Sequence, residues 1–170
     1  MSKAETKKPA SEAEELRTQL VALLDKGQAH ATFEDAVADF PAKLRGAVPE
    51  GLPYSAWQIV EHLRIAQRDI LEFSDNADGS YKHMKWPDDY WPKSAEPADA
   101  EAWDKSLAAI RADRKAFDKL VHAADDAELV KAFEWGEGQT LLREALLIAD
   151  HNAYHTGELI VVRRLLGAWK

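Results

Sequence analysis

The chain has 170 residues, which suits one domain, and at this length folding buries ~70% of the extended-chain surface without staples. Its 22 basic and 30 acidic residues leave a net charge of −8, which argues against a nucleic-acid partner. It has 0 cysteines, so disulfides, thiolate-held zinc, iron–sulfur clusters and a protein thiol nucleophile are excluded.

Residues 1–10 carry Lys3, Lys7 and Lys8 with no apolar stretch behind them. They read as a disordered tail of a cytoplasmic protein, ahead of one domain over 11–170. No apolar run approaches the ~20 residues of a membrane span, so no membrane is expected.

A first helix is predicted over 11–27. Ser11 and Glu14 form a capping box, and Leu16, Leu20 and Leu23 fall on one face. Gly27 either stops this helix or marks a close-packing point. Thr32 then caps a short stretch containing Phe33, Ala36, Val37 and Phe40, which Pro41 ends. Two glycines and two prolines make Gly46 to Pro53 a loop.

A second long helix is predicted over 55–75. Ser55 and Gln58 make another capping box, and Ile59, Leu63, Ala66, Ile70 and Phe73 give a stripe spaced 4, 3, 4, 3. The pattern breaks over 74–96, where Trp86 to Pro92 is aromatic and proline-rich. Connections of this length are uncommon unless they serve a function or pack over something.

Pro97 suits the first turn of a third helix over 97–122, lined by Trp103, Leu107, Ile110, Phe117 and Val121. A short helix is expected over Glu128 to Phe133. The last helix is predicted over 140–166, with Gly167 as its stop. No segment alternates with strand period. The sequence therefore predicts an all-α protein, an up-and-down four-helix bundle.

Six histidines carry most of the chemical interest. His151 and His155 are four apart on the last helix, so their side chains project within ~40° of each other, one turn apart. They share the apolar face of Leu141, Ile148, Leu159 and Val162. Two uncompensated imidazoles in a core are costly. Either a shared metal satisfies them, or hydrogen bonds to backbone or carboxylates do.

His62 lies beside the stripe of its own helix and faces the interior obliquely. One His from one helix and two at i, i+4 from another is how bundles build metal sites. His30 continues the line of Leu23 if the first helix runs through Gly27, and is a candidate for the pocket wall, for a partner of a ligand or for a ligand itself. His30 or Glu144 as a fourth ligand would close the shell. His83 and His122 have no partner pattern and read as surface residues.

Glu144 and Glu158 lie seven residues either side of His151. Each is placed to accept the free N–H of a metal-bound imidazole, or, for Glu158, to pair with an arginine. Trp86, Tyr90 and Trp91 either wall the mouth of such a site, with Asp88 and Asp89 near it, or simply cover the end of the core.

The stretches Ser55-Ala56-Trp57-Gln58-Ile59-Val60-Glu61-His62-Leu63-Arg64-Ile65-Ala66-Gln67 and Asp150-His151-Asn152-Ala153-Tyr154-His155-Thr156-Gly157-Glu158-Leu159 resemble the DinB-like superfamily. It includes YfiT-like metal hydrolases and thiol-dependent transferases. The resemblance implies a four-helix bundle, a homodimer, and a divalent metal held by His62, His151 and His155. Zinc, nickel, iron and manganese all accept imidazole, so the ion's identity stays open.

It implies in turn a metal-dependent enzyme acting on a small molecule, by hydrolysis or by transfer to a low-molecular-weight thiol of the mycothiol or bacillithiol kind. The alternative is a non-catalytic stress-response or interaction protein with a structural metal. The two differ in the coordination shell, because structural zinc sites are usually closed by four protein ligands. No Gly-rich phosphate loop and no serine elbow is present.

Overall fold

The computed structural model describes residues 11–26 and 28–169. The tail over 1–10 and the role of Gly27 lie outside the described residues. Four long helices form the frame: α1 (Glu12–Lys26), α3 (Ala56–Ser74), α4 (Ala102–Ala123) and α6 (Leu141–Leu165). Two short ones, α2 (Phe33–Val37) and α5 (Asp126–Val130), sit in the connections. The described residues contain no strand, only a bridge between Ala132 and Thr140, so the protein is all-α as its periodicity predicts. No described helix is long and apolar enough to cross a membrane.

Local sequence sets most helix starts. The reciprocal boxes Ser11/Glu14, Thr32/Asp35 and Ser55/Gln58 are all formed, and Thr140 Oγ1 accepts from the Arg143 N–H. Gly167 follows α6 at φ 68°, the left-handed conformation that stops a helix.

Two expected boundaries move. The third long helix begins at Ala102, not at Pro97, because Asp99 Oδ1 accepts from the N–H groups of Glu101 and Ala102 and defines the first turn. The short helix lies at Asp126–Val130, earlier than Glu128 to Phe133, because Asp125 and Glu128 form a capping box.

The core has two apolar halves. One joins Trp57, Ile59, Val60 and Leu63 of α3 to Trp103, Leu107 and Ile110 of α4 and Leu159 and Val162 of α6. The other joins Leu20 and Leu24 of α1 to Leu71, Phe117, Val121, Leu141, Ala145 and Ile148. The stripes expected on α3, α4 and α6 thus face inward. On α1 the buried face is Leu20 and Leu24, while Leu16 and Leu23 are exposed. Four leucines spread round one short helix cannot tell which side the neighbours will cover.

The starts of α3 and α4 share the first half and their later turns the second, so these helices run parallel, and the bundle departs from the expected up-and-down order because the long 75–101 connection joins them. α6 runs the other way, and so does α1, since Arg17 pairs with Asp126 and Asp25 with Arg114. A connection between parallel helices must travel back the length of the bundle. The 75–101 segment does so along α3. Tyr81 packs on Phe73, Pro92 O accepts from Gln58, and Ala95 O accepts from Ser55. Its length follows from topology, and its path carries it over His62.

Candidate metal centre

Between the two apolar halves α3 and α6 contribute polar side chains and α4 a backbone carbonyl. On one side of the layer the groups are mutually satisfied. Gln67 donates to the Ile110 carbonyl at 2.7 Å and accepts from Asn152 at 2.9 Å. On the other side stand His62, His151 and His155, whose ligand nitrogens lie within 4.8 Å of one another. His62 and His155 are buried and His151 half-buried.

The outer nitrogens fix the tautomers. His62 Nδ1 lies 2.9 Å from the Tyr90 carbonyl and His155 Nδ1 lies 2.6 Å from Glu158 Oε2. A carbonyl and a carboxylate only accept, so both Nδ1 atoms carry the proton and each Nε2 presents a lone pair. The Nε2 atoms of His62 and His151 are 3.0 Å apart. Two imidazole nitrogens this close need a proton or a cation between them.

Two nitrogens on one zinc-sized ion stand ~3.3 Å apart at tetrahedral angles with bonds of ~2.0–2.1 Å. The donor set and its spacing therefore fit one divalent ion. Burial pushes His62 below its usual pKa. It pushes His151 and His155 to about 4, with the neighbouring imidazoles adding to the effect. All three are neutral at pH 7, the form a metal takes.

The strap over α3 holds the His62 ring from two directions. Trp91 stacks on it at 3.9 Å with planes 4° apart, and Tyr54 stacks on the far face of Trp91 at 4.0 Å. Asp69, two turns beyond His62 on the same face, accepts from the phenols of Tyr81 at 2.9 Å and Tyr90 at 2.6 Å. It thereby anchors the residue whose carbonyl meets His62. Tyr54, Asp69 and Tyr81 escape a reading of spacing, although the seven-residue step from His62 to Asp69 is a usable signal.

The other candidates separate clearly. Glu158 meets His155 rather than an arginine. Glu144 is 2% exposed and pairs with Arg143 at 2.6 Å, two turns from His151. His30 is exposed, bonds the neighbouring Ala31 carbonyl, and lines a small cavity with Leu23, Asn152 and Thr156 away from the cluster. It shares that cavity with Leu23, whose line it was to continue, but none of His62, His151 and His155 lines it.

Trp86 is exposed at 6.3 Å from His62, with its ring against Tyr90. Asp88 and Asp89 are taken up by Lys85 within the strap. Among the described residues the cluster has no fourth His, Asp or Glu, so neither His30 nor Glu144 closes the shell.

The sequence profile of the DinB superfamily matches residues 25–159, and the chain belongs to that superfamily. No curated protein and no solved structure matches the chain.

Proposed function

We propose that this member of the DinB superfamily is a metal-dependent enzyme acting on a small molecule, with a divalent ion held by His62, His151 and His155. The observation that carries the reading is the convergence of three neutral imidazoles, two of which, His62 and His155, have their outer N–H groups held by the Tyr90 carbonyl and Glu158. When bound, such an ion supplies Lewis acidity with a coordination position left over for a substrate or a small thiol. That supports hydrolysis or thiol transfer.

The chain's own residues do the positioning. Tyr90 O and Trp91 orient His62, and Glu158 orients His155 and raises the electron density on its Nε2. Trp91 and the strap keep water from the inner face of His62. The three-histidine donor set favours an open catalytic site over a closed structural one, since structural zinc is usually held by four ligands.

The test is the metal content of the purified protein, followed by chelation. One ion per chain, removable without loss of helical circular dichroism, supports the reading. Unfolding on chelation replaces it with a structural clamp.

A further inference from the structure

Beside the histidines, between the 52–54 segment and α6, lies a cavity of about 290 Å³. This is near the lower end for small-molecule sites, about 300–1,000 Å³. Leu52, Pro53, Ile59, Val161 and Val162 give it apolar walls, and Glu158 is its one charged group.

Two of its lining residues touch the histidine cluster and a third reaches it through Trp91. Glu158 holds His155 Nδ1, Tyr154 packs edge-on against the His155 ring at 4.9 Å, and Tyr54 stacks on the Trp91 that covers His62. The cavity and the candidate centre therefore share a wall.

Gly157 supplies an independent observation. It lies inside α6 and lines the cavity, yet a Cβ built there meets nothing within 4 Å. Its backbone φ is not in the left-handed range, so neither strain nor close packing within the chain calls for glycine. Glycine is among the least favourable residues in a helix interior. The helix therefore leaves open space on the side of the cavity at this position.

We propose that this cavity is the pocket for a compact, uncharged, largely apolar group, aromatic or short-alkyl, belonging to the substrate of the neighbouring centre. The inference rests on reading His62, His151 and His155 as that centre. No lysine or arginine lines the cavity and Glu158 repels anions, so a carboxylate-bearing or sugar-bearing thiol does not fit. The pocket takes the other reactant, the group to be hydrolysed or transferred.

The test titrates neutral 2-naphthol and its anionic counterpart 2-naphthoate into the full chain by fluorescence. Zinc affinity is measured in parallel. Gly157→Leu and Val161→Phe, one turn apart on α6, each fill the cavity from that wall.

The expected result is saturable 2-naphthol binding, at least tenfold weaker for 2-naphthoate. Binding should be at least tenfold weaker in either variant, with zinc affinity within threefold of the parent. Equal binding of 2-naphthol by parent and variants, or equal binding of the two probes, overturns the pocket. Zinc uptake with no 2-naphthol binding overturns it too.

A chain that binds 2-naphthol in this variant-sensitive way but takes up no zinc keeps the pocket and overturns the metal reading. Sedimentation tests the remaining occupant. A parent that self-associates, a Gly157→Leu variant that does not, and no 2-naphthol binding would assign the surface to a second copy and overturn the proposal.

Discussion

The polar layer across this bundle contains two kinds of buried side chain on the same helices. Gln67 and Asn152 form a closed set, amide to amide to backbone carbonyl. His62 and His155 satisfy their outer nitrogens, and all three histidines bring a ligand nitrogen towards the others, so acceptors converge with no partner outside the group. A buried polar group that is fully paired specifies packing. A cluster that leaves lone pairs converging is poised for a ligand. The contrast teaches that burial alone does not mark a functional site, and that the direction of the unpaired atoms does.

The largest effect expected comes from His155→Ala. It should weaken metal binding more than ~100-fold, beyond the usual cost of losing a ligand's outer partner, while helical circular dichroism stays near the parent's. Retention of stoichiometric metal would erase the distinction between the two sets.

Next comes Glu158→Ala, which removes the acceptor on His155 Nδ1. A loss of about 10–100-fold in metal affinity is expected from a competition titration, with thermal stability little changed.

Gln67→Leu attacks the closed set instead. It leaves the Asn152 amide without its acceptor and should cost about 1–3 kcal/mol in a denaturant titration, with metal affinity unchanged. A fall in metal affinity there would mean that the two sets act as one network.

The smallest effect is that of mild acid. An ordinary imidazole protonates near 6.5, but burial holds His151 and His155 to about 4. Metal affinity should therefore change little from pH 8 to about 5.5 and fall only as pH approaches 4.

The same shift sets a stability slope in the metal-free protein. Below about 6.5 the unfolded imidazoles take up protons that the folded ones refuse, so stability falls as pH drops from 6.5 towards 4. Asp118, pushed up to about 6 by burial, opposes this over part of the range, because the fold then holds its proton more tightly. Two histidines outweigh one carboxyl, and melting temperature against pH reads the sign.

Local chemistry was legible wherever one helix carried its own evidence. The capping boxes at Ser11, Thr32 and Ser55 and the stripes on α3 and α4 need only neighbouring residues, and periodicity places them on the correct face. His151 and His155 were legible as a pair for the same reason, since one helical turn separates them. The inward face of α1 was not, because Leu16, Leu20, Leu23 and Leu24 offer two stripes and only contact with α4 and α6 chooses between them.

By itself the sequence determined an all-α chain, the starts of most helices, and the histidines that point inward, because caps and a 3.6-residue period act within one element. Only the tertiary structure decided that α3 and α4 run parallel. That arrangement forces the 75–101 strap back along α3 and brings Tyr90 O and Trp91 onto His62, 28 residues away for the carbonyl bond. It also decided that Glu158 holds His155 while Glu144 turns to Arg143, and that Tyr54, Tyr154 and Gly157 enclose a cavity next to the histidines. These contacts join residues by docking rather than by spacing, so no pattern along the chain encodes them.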